Sequence, residues 1–193
     1  MRIGSHFFAY LSRMRFIQRW ALMRNSYSEN IQEHSHQVAV LAHALALIRR
    51  DILHLPGPDP DRCAVAALYH DASEILTGDM PTPIKYYNPE IRNAYKVVEH
   101  VAGERLLDML PQELRGSYES YVLENDRDLN PIVKAADKLS AHIKCLEELK
   151  AGNQEFATAS AQTLAALEDT GREEVRWFLE NCLEPFTRNL DQL

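Results

Sequence analysis

The chain has 193 residues, a formal net charge of −7 and a hydrophobic content of 46%. This length suffices for one well-buried core, so we expect a single domain over residues 1–193. The negative charge gives no overall field for binding a phosphate backbone, and we therefore expect no nucleic-acid partner.

The three cysteines, Cys63, Cys145 and Cys182, are far apart and form no CxxC pair. This pattern argues against a disulfide framework or a zinc ribbon and suits a reducing compartment. The chain shows neither a signal-peptide pattern nor a membrane-spanning stretch. We expect a cytoplasmic protein with no membrane partner.

Helix signals recur from the N-terminus onwards, and no sustained β alternation lies between the turn signals. The first predicted helix begins with Ser5 as its cap, and a loop then covers residues 16–28. The second predicted helix carries a buried stripe at helical spacing. This stripe consists of His34, Val38, Leu41, Leu45 and Ile48.

A third helix is predicted after the proline-rich break at residues 56–60. If the helix is continuous, its phase directs Cys63, His70, Asp71 and Glu74 towards one face or its margin. Residues 77–83 cannot continue a helix, because two prolines remove backbone donors, and should form a shaped loop beside that face.

The second half of the chain is also predicted to be helical. A long helix begins after the cap Asn88 and runs to about Leu110, and a shorter one follows Pro111. The next helix has Asn130 as its cap and carries Asp137 on the edge of an apolar stripe. Two further helices, over about 154–170 and 173–183, complete an all-α bundle.

Four residues on three of these helices outline a metal site: His34, His70, Asp71 and Asp137. Imidazole nitrogen and carboxylate oxygen suit a divalent transition ion, and four ligands can leave positions open for water and substrate. Any one of these residues alone is more often structural. The prediction depends on the convergence of three helices.

Such a site favours hydrolysis, because the ion lowers the pKa of a bound water while a nearby carboxylate, here Glu74, moves protons. Phosphate esters are apt substrates. Arg19 or Lys85 could neutralise a phosphate, and Trp20 could contact a base or sugar. From the sequence alone, structural or surface roles are the commoner outcome for these last three residues.

The arrangement of His34, His70-Asp71 and Asp137 resembles the HD-domain metal-dependent phosphohydrolase superfamily. More narrowly, the chain is similar over nearly its whole length to the bacterial 5'-deoxynucleotidase family of the YfbR type. The matching motifs are Ser5-His6-Phe7-Phe8, Arg19-Trp20, Met23-Arg24-Asn25, Glu33-His34-Ser35, Tyr69-His70-Asp71-Ala72-Ser73-Glu74, residues 77–86, Ala136-Asp137 and Lys144-Cys145-Leu146-Glu147-Glu148-Leu149.

The resemblance implies an HD-domain helical bundle that hydrolyses deoxyribonucleoside 5'-monophosphates to deoxyribonucleosides and phosphate, with dNMP preferred over NMP. It also implies a homodimer with one divalent ion per chain, Co²⁺, Mn²⁺ or similar.

The resemblance further implies individual roles. The metal ligands are His34, His70, Asp71 and Asp137, and the catalytic residues are Glu74, Arg19 and Asp71. Within this set Glu74 is the general acid or base, and Arg19 orients the phosphate. The substrate-binding residues are Arg19, Trp20, His34, Asp71, Asp79, Met80, Pro81, Thr82 and Asp137. A ribose 2'-hydroxyl pressed against the Trp20 indole would lose hydrogen bonds to water. Exclusion of the ribonucleotide can therefore provide the preference for deoxyribose.

Other activities fit less well. The HDxxED pattern of guanosine-tetraphosphate hydrolases lacks its second acid here, because Ile75 follows Glu74, and the HDxGK-plus-GYP pattern of cyclic-dinucleotide phosphodiesterases is absent. A non-catalytic HD-like signalling module would keep the fold and lose the ions. The presence of every ligand and of Glu74 weighs against that alternative.

Overall fold

A computed structural model describes residues 5–85 and 87–193. Tyr86, the last residue of the 77–86 motif, lies outside the described residues. Within them the regular structure is helical, apart from one isolated antiparallel bridge between Gln18 and Asn30. The all-α prediction is confirmed. No helix in this part of the chain is long and apolar enough to cross a membrane.

The α-helices of the described ranges are, in chain order, α1 (Phe7–Leu11), α2 (Ile31–Leu47), α3 (Pro60–Tyr69), α4 (Glu74–Thr77), α5 (Thr82–Lys85), α6 (Pro89–Leu107), α7 (Gln112–Val122), α8 (Asn130–Lys150), α9 (Ala157–Glu168) and α10 (Glu173–Asn181). A π-helical turn, Ile48–Ile52, extends α2. Short 3₁₀ segments cover Ser12–Phe16, Gln154–Phe156, Glu184–Thr187 and Leu190–Gln192.

A capping box fixes the start of α2. The Asn30 side chain accepts hydrogen bonds from the backbone N–H groups of Gln32 and Glu33, each at 3.0 Å, and Glu33 accepts from the Asn30 backbone at 3.2 Å. Both ends of the box satisfy donors that the first helical turn would otherwise leave unpaired. His34 lies directly after this rigid start.

Two predicted caps are wrong. Ser5 does not cap α1, because its hydroxyl donates to the Met109 carbonyl at 2.7 Å and the helix begins at Phe7. Asn130 is the first residue of α8 instead of its cap, and its side-chain amide donates to the Glu124 carbonyl. In both cases a backbone carbonyl outside the helix accepts a hydrogen bond from the side chain that was expected to cap it.

The main core forms where α2 packs against α3, α8 and α10. Every position of the predicted α2 stripe is buried, so its burial supplies much of the attraction between these helices. A second cluster packs Phe7 and Ala72 against Leu106, Leu107, Leu110 and Val122. The start of α2, the end of α3 and the middle of α8 meet between the two clusters.

Candidate metal centre and active site

His34 is completely buried in the first turns of α2. Its Nδ1 lies 3.2 Å from the hydroxyl of Ser140 on α8, and that hydroxyl donates to the Gln37 side-chain oxygen at 2.8 Å. Since Ser140 uses its proton on Gln37, it accepts from Nδ1–H of His34. The Nε2 atom of His34 then carries the free lone pair.

His70 is the C-cap of α3, directly after Tyr69. Its Nδ1 lies 2.7 Å from the Ala67 carbonyl and donates to it, because a carbonyl can only accept. This bond fixes the tautomer, so the second imidazole also turns a bare Nε2 towards the interior.

The expectation of a continuous helix through His70, Asp71 and Glu74 is wrong. The backbone tightens after Tyr69, with Ala72 N–H donating to the Tyr69 carbonyl at 2.9 Å and Glu74 N–H to the Asp71 carbonyl at 3.0 Å. Ala72 is fully buried in the second cluster, which anchors the turn. The turn still places the Asp71 carboxylate beside the His70 imidazole, and it keeps Glu74 within electrostatic range of Asp71.

The side chains from the three segments meet at one point. Asp137 Oδ1 lies 3.0 Å from His34 Nε2, while Asp71 Oδ2 lies 3.2 Å from His70 Nε2 and 3.5 Å from His34 Nε2. Ligand atoms of His34, His70 and Asp137 all lie within 4.8 Å of one another. The structure therefore brings together all the residues expected as metal ligands.

The donor set fits a divalent cation. The Nε2 atoms of His34 and His70 are both buried and have no hydrogen-bond partner. A bare imidazole nitrogen facing a carboxylate is repulsive unless a proton or a cation lies between them, and buried polar atoms are seldom left unpaired. Imidazole and carboxylate ligands suit Zn²⁺, Co²⁺ or Mn²⁺. A bound ion of this kind supplies a Lewis acid that offsets phosphate charge.

The surroundings shift the pKa values of the two histidines in opposite directions. Burial lowers the pKa of His34. Burial also acts to lower the pKa of His70, but the charge of the adjacent Asp71 carboxylate outweighs burial and raises that pKa to about 10. The cationic neighbours of Asp71 outweigh its burial and hold its pKa well below the usual range. A cation that took the place of the His70 proton would meet two ionised carboxylates.

Glu74 opens α4 and is 5% exposed. Burial, followed by the charges of Asp71 and Asp79, raises its pKa to about 9 although Arg19 and Lys85 oppose the shift. Its Oε2 atom has no hydrogen-bond partner. A carboxyl group that holds its proton at neutral pH can act as a general acid.

Arg19 lies in the loop before α2, and its Nη1 donates to Asp71 Oδ2 at 3.3 Å. Burial acts to lower its pKa, but Asp71, Asp137 and Glu29 outweigh burial and keep the guanidinium charged. A fixed cation beside a carboxylate that is expected to bind a metal is well placed for a phosphate. The neighbouring Trp20 is half-buried, with its ring centroid 5.3 Å from that of Phe156.

The loop after α4 begins at Gly78, whose φ of 76° is rarely adopted by other residues. Burial raises the pKa of Asp79, although the charge of Arg19 opposes this shift. Met80 and Pro81 are half-buried, whereas Thr82 is exposed at the start of α5. Lys85, the other candidate cation, pairs with Glu99 of α6 at 2.7 Å.

Sequence reasoning missed three polar residues of the site. Ser140 orients His34, and its signal was a hydroxyl on the buried face of α8. Glu29 accepts hydrogen bonds from Arg19 and Trp20. Glu124 has a left-handed φ of 47° and a pKa raised by burial, and it lies within electrostatic range of His70. The last two lie in loops, where no periodicity marks them.

The helical fold, with its clustered histidines and aspartates, is the fold of solved HD-domain structures. An HD-domain phosphohydrolase from Listeria innocua superposes with a TM-score of 0.82 at 23% identity, covering 97% of this chain and 92% of that one. The cyanophage S-2L HD phosphohydrolase DatZ, bound to dA and one catalytic Zn²⁺ ion, gives 0.63 at 19% identity, covering 91% and 95%.

Sequence relatives narrow the class. The family model described as 5'-deoxynucleotidase YfbR-like matches residues 6–186. A 5'-deoxynucleotidase of Vibrio cholerae is 51% identical over 192 residues, 98% of either chain. One of Erwinia tasmaniensis is 49% identical over 193 residues, 99% of this chain and 97% of that one. The chain belongs to the YfbR-like 5'-deoxynucleotidase family, which confirms the resemblance.

Proposed function

We propose that this protein hydrolyses deoxyribonucleoside 5'-monophosphates to deoxyribonucleosides and phosphate, with one divalent ion, and that it prefers dNMP to NMP. The observation that carries the proposal is the buried pair of unpartnered histidine Nε2 atoms facing Asp71 and Asp137, with the Arg19 guanidinium beside them. The family's relatives named 5'-deoxynucleotidase support the reaction class.

In this proposal His34, His70, Asp71 and Asp137 hold the ion, which is Co²⁺, Mn²⁺ or a similar ion. Arg19 donates hydrogen bonds to phosphate oxygens, and its link to Asp71 fixes the phosphate relative to the metal ligands. The phosphate then lies within reach of His34, Asp71 and Asp137, which accounts for their inclusion among the substrate-binding residues.

Proton transfer falls to Glu74, whose raised pKa favours the role of acid over that of base. It would give its proton to the 5'-oxygen of the departing deoxyribonucleoside. The loop of Asp79, Met80, Pro81 and Thr82 would line the nucleoside side of the site, which the partial burial of Asp79 and its electrostatic interaction with Arg19 support. Trp20 would lie against the deoxyribose and exclude a 2'-hydroxyl by desolvation.

We expect truncation of Arg19 and of Trp20 to have separable effects. Arg19→Ala should lower turnover on every nucleoside monophosphate, because the lost charge orients the phosphate they all share. Trp20→Ala should chiefly narrow the gap between dNMP and NMP, because it removes the excluding indole. Phosphate release from dAMP and AMP, measured with several added metals, checks both variants. An unchanged dAMP-to-AMP ratio in Trp20→Ala would refute the sugar-exclusion argument.

We also propose a homodimer. The support is an apolar stripe on α6, where Val97, Val98 and Val101 are 63%, 49% and 59% exposed at helical spacing. A second copy would bury it. Light scattering at micromolar concentration should give twice the mass of the chain, and Val97→Glu should reduce it to that of one chain. A wild-type protein that stays monomeric would contradict the proposal.

A further inference from the structure

We propose that Glu29 is a positioning residue that fixes the Arg19 guanidinium and the Trp20 indole relative to each other, and thereby sets the sugar selectivity of the enzyme. Its Oε2 atom accepts from Arg19 Nε at 3.1 Å and from Trp20 Nε1 at 3.0 Å. The Glu29 side chain is nearly buried, so both bonds are shielded from water.

The shared oxygen couples two groups with different tasks. Arg19 also donates to Asp71 at 3.3 Å, so Glu29, Arg19 and Asp71 form one chain of charge-assisted contacts that leads to the metal ligands. The Trp20 indole is tied to the same chain through its N–H. The orientation of the Trp20 ring is therefore fixed relative to the metal centre as well as to its own loop.

The backbone of Trp20 needs such a restraint. Its φ of 58° lies in the left-handed region, which a bulky side chain seldom adopts because the conformation is strained. The ring also contacts Phe156, but an aromatic contact leaves the ring free to tilt or slide. The hydrogen bond to Glu29 is directional and selects one orientation.

The loop itself does not depend on the Glu29 side chain. At its base, Arg19 N–H donates to the Glu29 carbonyl at 2.9 Å and Ile31 N–H to the Ile17 carbonyl at 3.0 Å. At its far end, the buried carboxylate of Glu148 accepts from Ser26 N–H at 2.9 Å, and Lys144 donates to the Tyr27 carbonyl at 2.8 Å. Replacing the Glu29 side chain should thus free Arg19 and Trp20 and leave the loop in place.

The inference rests on the proposed function, because it assigns Trp20 to the deoxyribose. Its first test therefore needs no substrate. The chain has two tryptophans, and Trp177→Phe leaves Trp20 as the only indole. In this background Glu29→Ala should shift the emission of Trp20 to longer wavelength and increase quenching by acrylamide. Glu29→Gln keeps an oxygen that can accept from the indole and should resemble the parent.

The second test measures selectivity in the metal-loaded enzyme with dAMP and AMP. Glu29→Ala should reduce the dAMP-to-AMP ratio of kcat/KM by about 10-fold, the size expected from loss of one buried hydrogen bond. Glu29→Gln should retain most of the ratio. Combined with Trp20→Ala, Glu29→Ala should reduce the ratio no further, because Glu29 affects the ratio only through the indole that Trp20→Ala removes.

Tyr27→Phe is the matched control, because it removes a hydroxyl contact with Glu147 in the same loop and leaves Arg19 and Trp20 untouched. This variant should change neither the fluorescence emission of Trp20 nor the dAMP-to-AMP ratio of kcat/KM. Unaltered Trp20 emission in Glu29→Ala, or an additive loss in the double variant, would overturn the positioning role. If the wild type itself showed no preference for dAMP, the proposed sugar selectivity would fail, and the emission experiment would still decide whether Glu29 positions Trp20.

Discussion

His70→Ala should lose bound metal and turnover together. The substitution removes one of two imidazole rings whose Nε2 atoms are buried and unpartnered. It also removes a group that lies beside the Asp71 carboxylate, so the negative charges of Asp71 and Asp137 repel each other more strongly. We expect metal affinity to fall by more than the roughly 10–100-fold that follows loss of an outer hydrogen-bond partner. Metal content after dialysis, with phosphate release from dAMP on the same sample, measures both effects.

Ser140→Ala provides the graded comparison for His70→Ala. It removes the hydroxyl that fixes the His34 tautomer and keeps every ligand, so metal affinity should fall by about 10–100-fold and excess metal should restore turnover. Circular dichroism should show full helicity in both variants. Wild-type metal content in His70→Ala would disprove the ligand assignment.

The convergence of the residues expected as metal ligands was predictable because helix phase determines which side chains face the core. The α2 stripe from His34 to Ile48 is a repeating pattern that depends on local geometry alone, and all its positions are buried as expected. Asp137 at the edge of the α8 stripe follows the same logic and is half-exposed at the margin of the core. Periodicity thus locates residues whose helices are continuous.

The turn at residues 70–73 could not be predicted in that way. No proline or glycine marks it, and its buried residue Ala72 belongs to a cluster that includes Phe7, far away in sequence. The positions of Arg19 and Trp20 were likewise beyond periodicity, because a bridge between Gln18 and Asn30 and the Glu29 carboxylate set them. Motif resemblance identified these residues, and tertiary contacts position them.

Glu74→Gln should lower kcat on dAMP by roughly 100-fold or more, as expected for loss of a general acid, with metal content unchanged. The wild-type rate should fall as pH rises through about 9, where the Glu74 carboxyl loses its proton. The variant should not show this decrease in rate at high pH. With p-nitrophenyl phosphate, whose leaving group needs no protonation, the variant should be much less impaired. An equal loss on both substrates would contradict the acid role.

Unfolding would not explain the loss in Glu74→Gln. The pKa of Glu74 is higher in the folded protein than its ordinary value of 4.5, so the stability linked to its proton is complete below pH 4.5 and declines as pH rises towards 9. A buried glutamine has no proton to lose and avoids that decline. The variant should therefore melt at the same temperature as the wild type or higher at pH 8, and a clearly lower melting temperature would mean that Glu74 also stabilises the fold.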